Sequence, residues 1–313
     1  MAQMRAYRIH RFGGPEVFRS EMIDIPEIGA NEVLIRVKAA SVNPVDIKTR
    51  DGKYPTIRED NLPFTLGRDF AGVVERSGQN ASDWPQGAEV FGFVGQGQGA
   101  LASFVVIDAK GLAKRPATLD WTNSAAVPLA ALTAWQGLFD HGGLQKGERV
   151  LIHAAAGGVG HLAVQFARHI GAEVYATASG DSVDFVKSLG ADHVIDYKKQ
   201  RFEVVARDMD LVFDLIGGET QNRSWQVVKR GGTLISTLTE PSSTEAAAHG
   251  AHGARYTARP DGRQLEEVGR LIDEGAVKVN VVETFPFDAA ADAMATLEKG
   301  HVHGKIVVNA FDA

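Results

Sequence analysis

The sequence predicts an α/β protein in two parts, a β-rich first segment followed by a doubly wound parallel sheet. Three observations lead there. The chain has 313 residues, enough for roughly two domains and a packed core. Its first 120 or so residues carry short β-branched or aromatic runs set off by Gly, Pro and Asn turns. Beyond them strands and helices alternate, the pattern of βαβ units that build a parallel sheet.

In the first segment the runs are EVLIRVKAA (32–40), FAGVVERSG (70–78), AEVFGF (88–93) and ASFVVIDA (102–109). WTNSAAVPLAALTAWQGLF, from Trp121, has apolar residues at helical spacing. The second segment supplies the strands RVLIH (149–153), AEVYATA (172–178), ADHVIDY (191–197), MDLVFDLI (209–216) and GGTLISTL (231–238). Helical segments are expected between them over 182–189 and 219–229, and after them over 262–274. VETFPF (282–287), an amphipathic helix over 288–299 and a strand KIVVNAF (305–311) close the chain.

Composition removes whole classes of function. There is no cysteine, which excludes disulfides, thiolate nucleophiles, Fe–S clusters and any cysteine-held zinc. The net charge of −6 argues against a nucleic-acid surface. No apolar run approaches the ~20 residues that span a bilayer, and the first residues show no apolar leader core. A cytoplasmic protein is the expectation.

The most informative stretch is HAAAGGVGHLAVQFARHIGAEVYATASGD (153–181). RVLIH reads as a buried strand, AAAGGVG as a sharp turn, and GHLAVQFARHIG as a helix with Leu162, Ala163, Phe166, Ala167 and Ile170 on one face. Such a turn lets backbone approach a pyrophosphate and aims helix N-terminal N–H groups at it. The loop reads either as Gly158-Val159-Gly160 followed by Ala163, or as Ala155-Ala156-Gly157-Gly158-Val159-Gly160 with its first glycine replaced. The end of the second strand bears on the nucleotide. A carboxylate there would bond a ribose 2′-hydroxyl, as NAD enzymes require. Ser179 stands in that place and can donate to a 2′-phosphate, which favours NADPH over NADH. Asp181 points the other way unless it caps the next helix.

Several further motifs follow in one order: AASVNPVDIKTRDGKYP (39–55), LGRDFAGVV (66–74), AAVPLAALTAW (125–135), AAAGGVG (154–160), LGADHVIDY (189–197) and HGKIVV (303–308). Through them the chain resembles the medium-chain dehydrogenase/reductase superfamily, in its zinc-free quinone oxidoreductase and enone reductase branch. The resemblance implies a GroES-like β-rich domain over 1–120, completed by 285–313, and a Rossmann domain over 121–284. It implies NADPH, no metal, a small-molecule quinone or enone as substrate, and pairing of two copies through an edge of the Rossmann sheet. Where zinc-dependent relatives hold their metal, this chain has Asn43, Arg68 and Leu129. The histidines of HGAHGARYT (249–257) are expected in a solvated loop rather than as ligands.

The resemblance also implies site residues. Asn43 would face the nicotinamide ribose and the substrate, and Tyr54 would reach the substrate carbonyl or supply the proton. Thr133 would lie beside the nicotinamide, the turn Ala156, Gly157, Gly158, Val159 and Gly160 under the pyrophosphate, and Ser179 and Tyr197 by the 2′-phosphate. Ile216, Gly217 and Leu238 follow strands whose carboxyl ends face the cofactor. Lys305 would approach the cofactor phosphate or the nicotinamide pocket, although His303 stands where many relatives have Arg. Asp46 and Asp69 are expected to pair with Arg68 or Lys48. The resulting expectation is an NADPH-dependent reductase of quinones or α,β-unsaturated carbonyls. A cofactor-loaded sensor without turnover is the rival reading, and a zinc alcohol dehydrogenase the third.

Overall fold

A computed structural model describes residues 2–300 and 302–309. The chain divides into two compact units, one of Met1–Leu129, Pro260–Glu274 and Val279–Ala313, the other of Ala130–Arg259 and Gly275–Lys278. The division departs from the expected boundaries at 121 and 284, because two helices assigned to the second segment pack in the first unit.

The first unit begins with β1 (Gln3–Ile9), β2 (Arg19–Asp24), β3 (Glu32–Val42), α1 (Pro44–Arg50), β4 (Phe64–Thr65), β5 (Asp69–Ser77), β6 (Glu89–Phe93), β7 (Phe104–Asp108) and β8 (Leu112–Lys114). Next come α2 (Trp121–Ala125) and α3 (Pro128–Trp135), which the helical spacing had joined into one run; from Ala130 onward α3 belongs to the second unit. Pro128 separates them, since it lacks the N–H that would continue the first helix and is well suited to start the second.

The second unit continues with a π-helical turn, Gln136–His141, and then alternates regularly. Its elements are β9 (Arg149–Ile152), α4 (Gly160–His169), β10 (Glu173–Ala178), α5 (Ser182–Ser188), β11 (His193–Asp196), α6 (Phe202–Val205), β12 (Met209–Asp214), α7 (Gly218–Ser224), β13 (Val228–Ser236), α8 (Ser243–His249) and β14 (His252–Arg255). The sheet order is β11-β10-β9-β12-β13-β14, every pair parallel. The order reverses between β9 and β12, and open sheets of this kind bind ligands beyond the carboxyl ends at that point. α4 is buried on almost every side, not on one face. The helix expected over 219–229 stops at Ser224, because Trp225 turns into the core ahead of β13. His252 lies on the edge strand β14 where a loop was expected.

The chain then returns to the first unit with α9 (Gly262–Asp273), β15 (Val281–Pro286), α10 (Ala290–Lys299) and β16 (Lys305–Asn309). Residues 310 and 311 of the expected last strand lie outside the described residues. α9 buries Leu265, Val268, Leu271 and Ile272 and packs on β8, which is why it belongs here. β2-β1-β4 form a small sheet, and β15-β16-β3-β5-β6-β8 form the large one, with β7 also paired to β3. β3 is buried along most of its length because strands pair with it on both edges. The register of these pairings brings distant residues together. Val42 faces Ile306 and Ser41 faces Asp69, so the residues just beyond Val42 and just before Ile306 meet beside Asp69.

Candidate functional site

In the second unit the expected cofactor residues gather at one end of the sheet. The turn 154–159 follows β9, Ser179 follows β10, Tyr197 follows β11, Ile216 and Gly217 follow β12, and Leu238 follows β13. The glycine-rich turn is tight. Ala154 takes a left-handed φ of 51°, one position before the alanine that replaces the first glycine, and its carbonyl accepts Gly157 N–H at 3.0 Å. A Cβ on Gly160 would sit 2.2 Å from that same carbonyl oxygen, so only glycine can begin α4 here.

Ser179 and Tyr197, separate letters in the sequence, meet: Ser179 Oγ donates to Tyr197 Oη at 3.0 Å. Asp181 is exposed at the N-cap position of α5 and makes no side-chain cap there. Asp214, which sequence reasoning passed over, is buried and accepts from Ile216 N–H at 3.0 Å and Gly217 N–H at 2.8 Å. Gln221 Nε2 and Ser236 Oγ donate to its other oxygen, at 3.0 and 2.8 Å. One carboxylate at the end of a central strand therefore sets the shape of the Ile216–Gly217 loop. Its only sequence signal was an acid among apolar letters ahead of two glycines.

His153 is likewise buried, with Nδ1 3.1 Å from Thr177 Oγ1 and Nε2 2.9 Å from Ser224 Oγ. Ser224 Oγ donates to Thr220 O, so it accepts from the imidazole, and Nε2 carries the proton. Burial pushes this histidine down to about 4. Thr133, mostly buried, has its carbonyl capped by the Tyr256 hydroxyl.

In the first unit a second group forms around Asn43, which occupies the N-cap position of α1 ahead of Pro44. The Asp46 carboxylate accepts the Asn43 and Gly67 N–H groups at 2.8 and 3.0 Å. Its burial raises it to about 6, against the lowering pull of Arg68. Asp69 accepts from Ser41 Oγ at 2.6 Å, Asn43 Nδ2 at 2.9 Å and Leu129 N–H at 2.5 Å. Its cation is Lys305, at 3.5 Å, where the sequence reading paired it with Arg68 or Lys48. Lys305 Nζ also donates to Asn43 Oδ1. Arg68 turns instead to the Gly95 carbonyl and Thr49 Oγ1, its guanidinium over the Tyr54 and Phe64 rings. The Tyr54 hydroxyl accepts from Gln96 Nε2 at 3.1 Å.

Similarity to known proteins agrees with both units. Residues 29–117 match the alcohol dehydrogenase GroES-like domain family and residues 189–308 the zinc-binding dehydrogenase family. The chain is 36% identical over 321 residues to the NADPH-dependent alkenal/one oxidoreductase of Arabidopsis thaliana chloroplasts, covering 98% of this chain and 79% of that protein. It is 34% identical over 324 residues to the 2-methylene-furan-3-one reductase of Solanum lycopersicum, with the same coverage. The solved quinone oxidoreductase of Coxiella burnetii superposes with a TM-score of 0.92 at 32% identity, covering 98% and 99% of the two chains. The chain belongs to the medium-chain dehydrogenase/reductase superfamily, in its quinone and enone reductase branch.

This dehydrogenase/reductase thus has the GroES-like and Rossmann parts its motifs implied. Among its described residues no group of three or more His, Cys, Asp or Glu side chains is placed to hold a metal ion. Nor does any described helix have the length and apolarity to cross a membrane.

Proposed function

We propose that this oxidoreductase reduces quinones or α,β-unsaturated carbonyls with NADPH and without a metal, the first unit serving substrate and the second the cofactor. The observation that carries the reading is the charge arrangement around Asn43. A zinc site needs unprotonated, electron-rich ligands facing inward. Here the corresponding places hold an amide that accepts from Lys305, a guanidinium and a leucine. The adjacent carboxylates are engaged by backbone, hydroxyl and ammonium donors. Zinc does not fit these residues.

Without a Lewis acid, a conjugated acceptor is the tractable substrate, since its electron-poor carbon takes hydride and charge collects on an oxygen. When bound, NADPH supplies that hydride. The chain's own part is to bind, orient and donate hydrogen bonds. The turn Ala156–Gly160 and the N-terminus of α4 suit a pyrophosphate, and the close approach of Gly160 to the Ala154 carbonyl, which a side chain would prevent, keeps that turn tight. Ser179 and Tyr197, already bonded to each other, offer hydroxyls to a 2′-phosphate without a carboxylate among them. Ile216, Gly217, Leu238 and Thr133 complete the cofactor set. Asn43 Nδ2 and the Tyr54 hydroxyl are the donors for the developing oxyanion, with Tyr54 the proton source.

The partners are small molecules. A chain of net charge −6 suits neither nucleic acid nor an anionic membrane surface, and the absence of cysteine fits the cytoplasm. The edge strand β14 is the place for two copies to pair.

The test is oxidation of NADPH and of NADH with 1,4-benzoquinone, an alkenal and a cyclic enone. NADPH oxidation with at least one acceptor is expected, and Ser179→Asp should lower the NADPH-to-NADH ratio of kcat/KM about tenfold or more through repulsion of the 2′-phosphate. Binding of NADPH with no turnover on any acceptor would return the chain to the sensor reading. Better activity with NADH would overturn the role of Ser179.

A further inference from the structure

Lys305 entered as a cofactor residue, but its ammonium is committed elsewhere. It is 4% exposed and donates to Asn43 Oδ1, with Asp69 Oδ2 at 3.5 Å. Burial lowers its proton affinity, and Asp69 and Asp46 hold it up. On its other side Asn43 Nδ2 donates to the fully buried Asp69 at 2.9 Å, and its second N–H makes only long contacts, 3.4 Å each, to the Ser41 carbonyl and hydroxyl. The donor inventory then leaves one arrangement. An ammonium has only protons to offer and an ionised carboxylate only lone pairs. The amide oxygen must face Lys305 and the amide nitrogen Asp69. Turning the carboxamide over would set oxygen against carboxylate and N–H against ammonium, two unfavourable contacts at low dielectric.

We propose that Lys305 is a positioning residue for catalysis: wedged between Asn43 and Asp69, it locks the Asn43 carboxamide so that the N–H now in long contact with Ser41, never the amide oxygen, turns to the reacting oxygen of the substrate. The inference rests on the proposed reductase activity, and it removes Lys305 from the cofactor's ligands. β-sheet register builds the lock. Lys305 precedes Ile306, which pairs with Val42, while Ser41 pairs with Asp69, so the three side chains meet on one face. Arg68 stands apart, its guanidinium on the Gly95 carbonyl, and is not a substitute cation for Asp69.

Lys305→Met alone leaves the Asp69 carboxylate buried without its cation and is expected to lower the melting temperature sharply. The variant Lys305→Met/Asp69→Asn removes both charges and keeps an acceptor for Asn43 Nδ2. It should regain most of the melting temperature while kcat stays down about tenfold or more, with KM for NADPH within about twofold. A double variant with wild-type kcat overturns the proposal. So does a large rise in KM for NADPH at unchanged kcat, which would make Lys305 a phosphate ligand after all. Hydrogen exchange of the Asn43 side-chain amide, read by 15N NMR, needs no turnover. It should be slow in the wild-type protein and fast in the double variant, and equal rates overturn the lock. If the wild-type protein reduces none of the acceptors, the reductase reading fails on that assay while the exchange rates still decide the amide lock.

Discussion

Gly160 and Ser179 show how differently two residues of one motif can be read. Glycine at 160 follows from contact: a side chain there would enter the carbonyl of Ala154 and push the start of α4 off the turn. Gly160→Ala should cost about 1–3 kcal/mol of stability, as overpacking of a close backbone contact does. It should also weaken NADPH binding, which a fluorescence titration beside a denaturant melt would separate from mere unfolding. Unchanged affinity would show that the turn does not hold the pyrophosphate. Ser179 was legible by position, as the residue after the second strand of the sheet, and its bond to Tyr197 adds what one letter could not. Asp214 and His153 were not legible, because a polar residue at the end of an apolar run looks the same whether it ends a strand or organises a loop. Asp69 was seen, but its partner Lys305 is 236 residues away, and nothing in local spacing links them.

Elements were legible wherever periodicity was long and turn residues bounded it, as for β9, β10, β12 and α9. The π-helical turn Gln136–His141 was not, since its sequence continues the helical pattern of α3. Beside this turn the Tyr256 hydroxyl donates to the Thr133 carbonyl. A Cβ on Gly137 would lie 2.5 Å from that hydroxyl, so glycine makes room for the tyrosine. Gln136 clasps the Arg259 backbone from both sides, Nε2 donating to the carbonyl at 2.9 Å and Oε1 accepting the N–H at 3.0 Å. Tyr256→Phe removes this hydrogen bond and should cost about 1 kcal/mol. Urea unfolding with an unchanged m-value would report it. No loss would mean that the ring alone, not its hydroxyl, holds Tyr256 in place.

For the whole molecule, buried titratable groups tie stability to pH in opposing directions. His153 is held near 4 in the folded chain and is ordinary, near 6.5, in the unfolded one. Between those values only the unfolded chain takes up the proton, so this histidine removes stability as pH falls through the window. Asp46, raised to about 6, takes up its proton in the folded state first and so adds stability over part of the same range. Urea midpoints at about pH 7 and about pH 5 should show His153→Asn losing less stability on acidification than the parent, and Asp46→Asn losing more. Equal slopes in parent and His153→Asn would mean that the imidazole is not kept neutral by burial.

The sequence by itself determined the fold class, the family, the strand-end positions of the candidate site residues and the absence of cysteine. All of these depend on local periodicity, on turn chemistry or on the presence of a residue type. Only the tertiary structure decided which charges meet. The pairing of β16 with β3, and of β3 with β5, carries Lys305 from the far end of the chain to Asn43 and Asp69. Sheet register is a long-range property, set by the burial of whole strands, and no short stretch of letters encodes it.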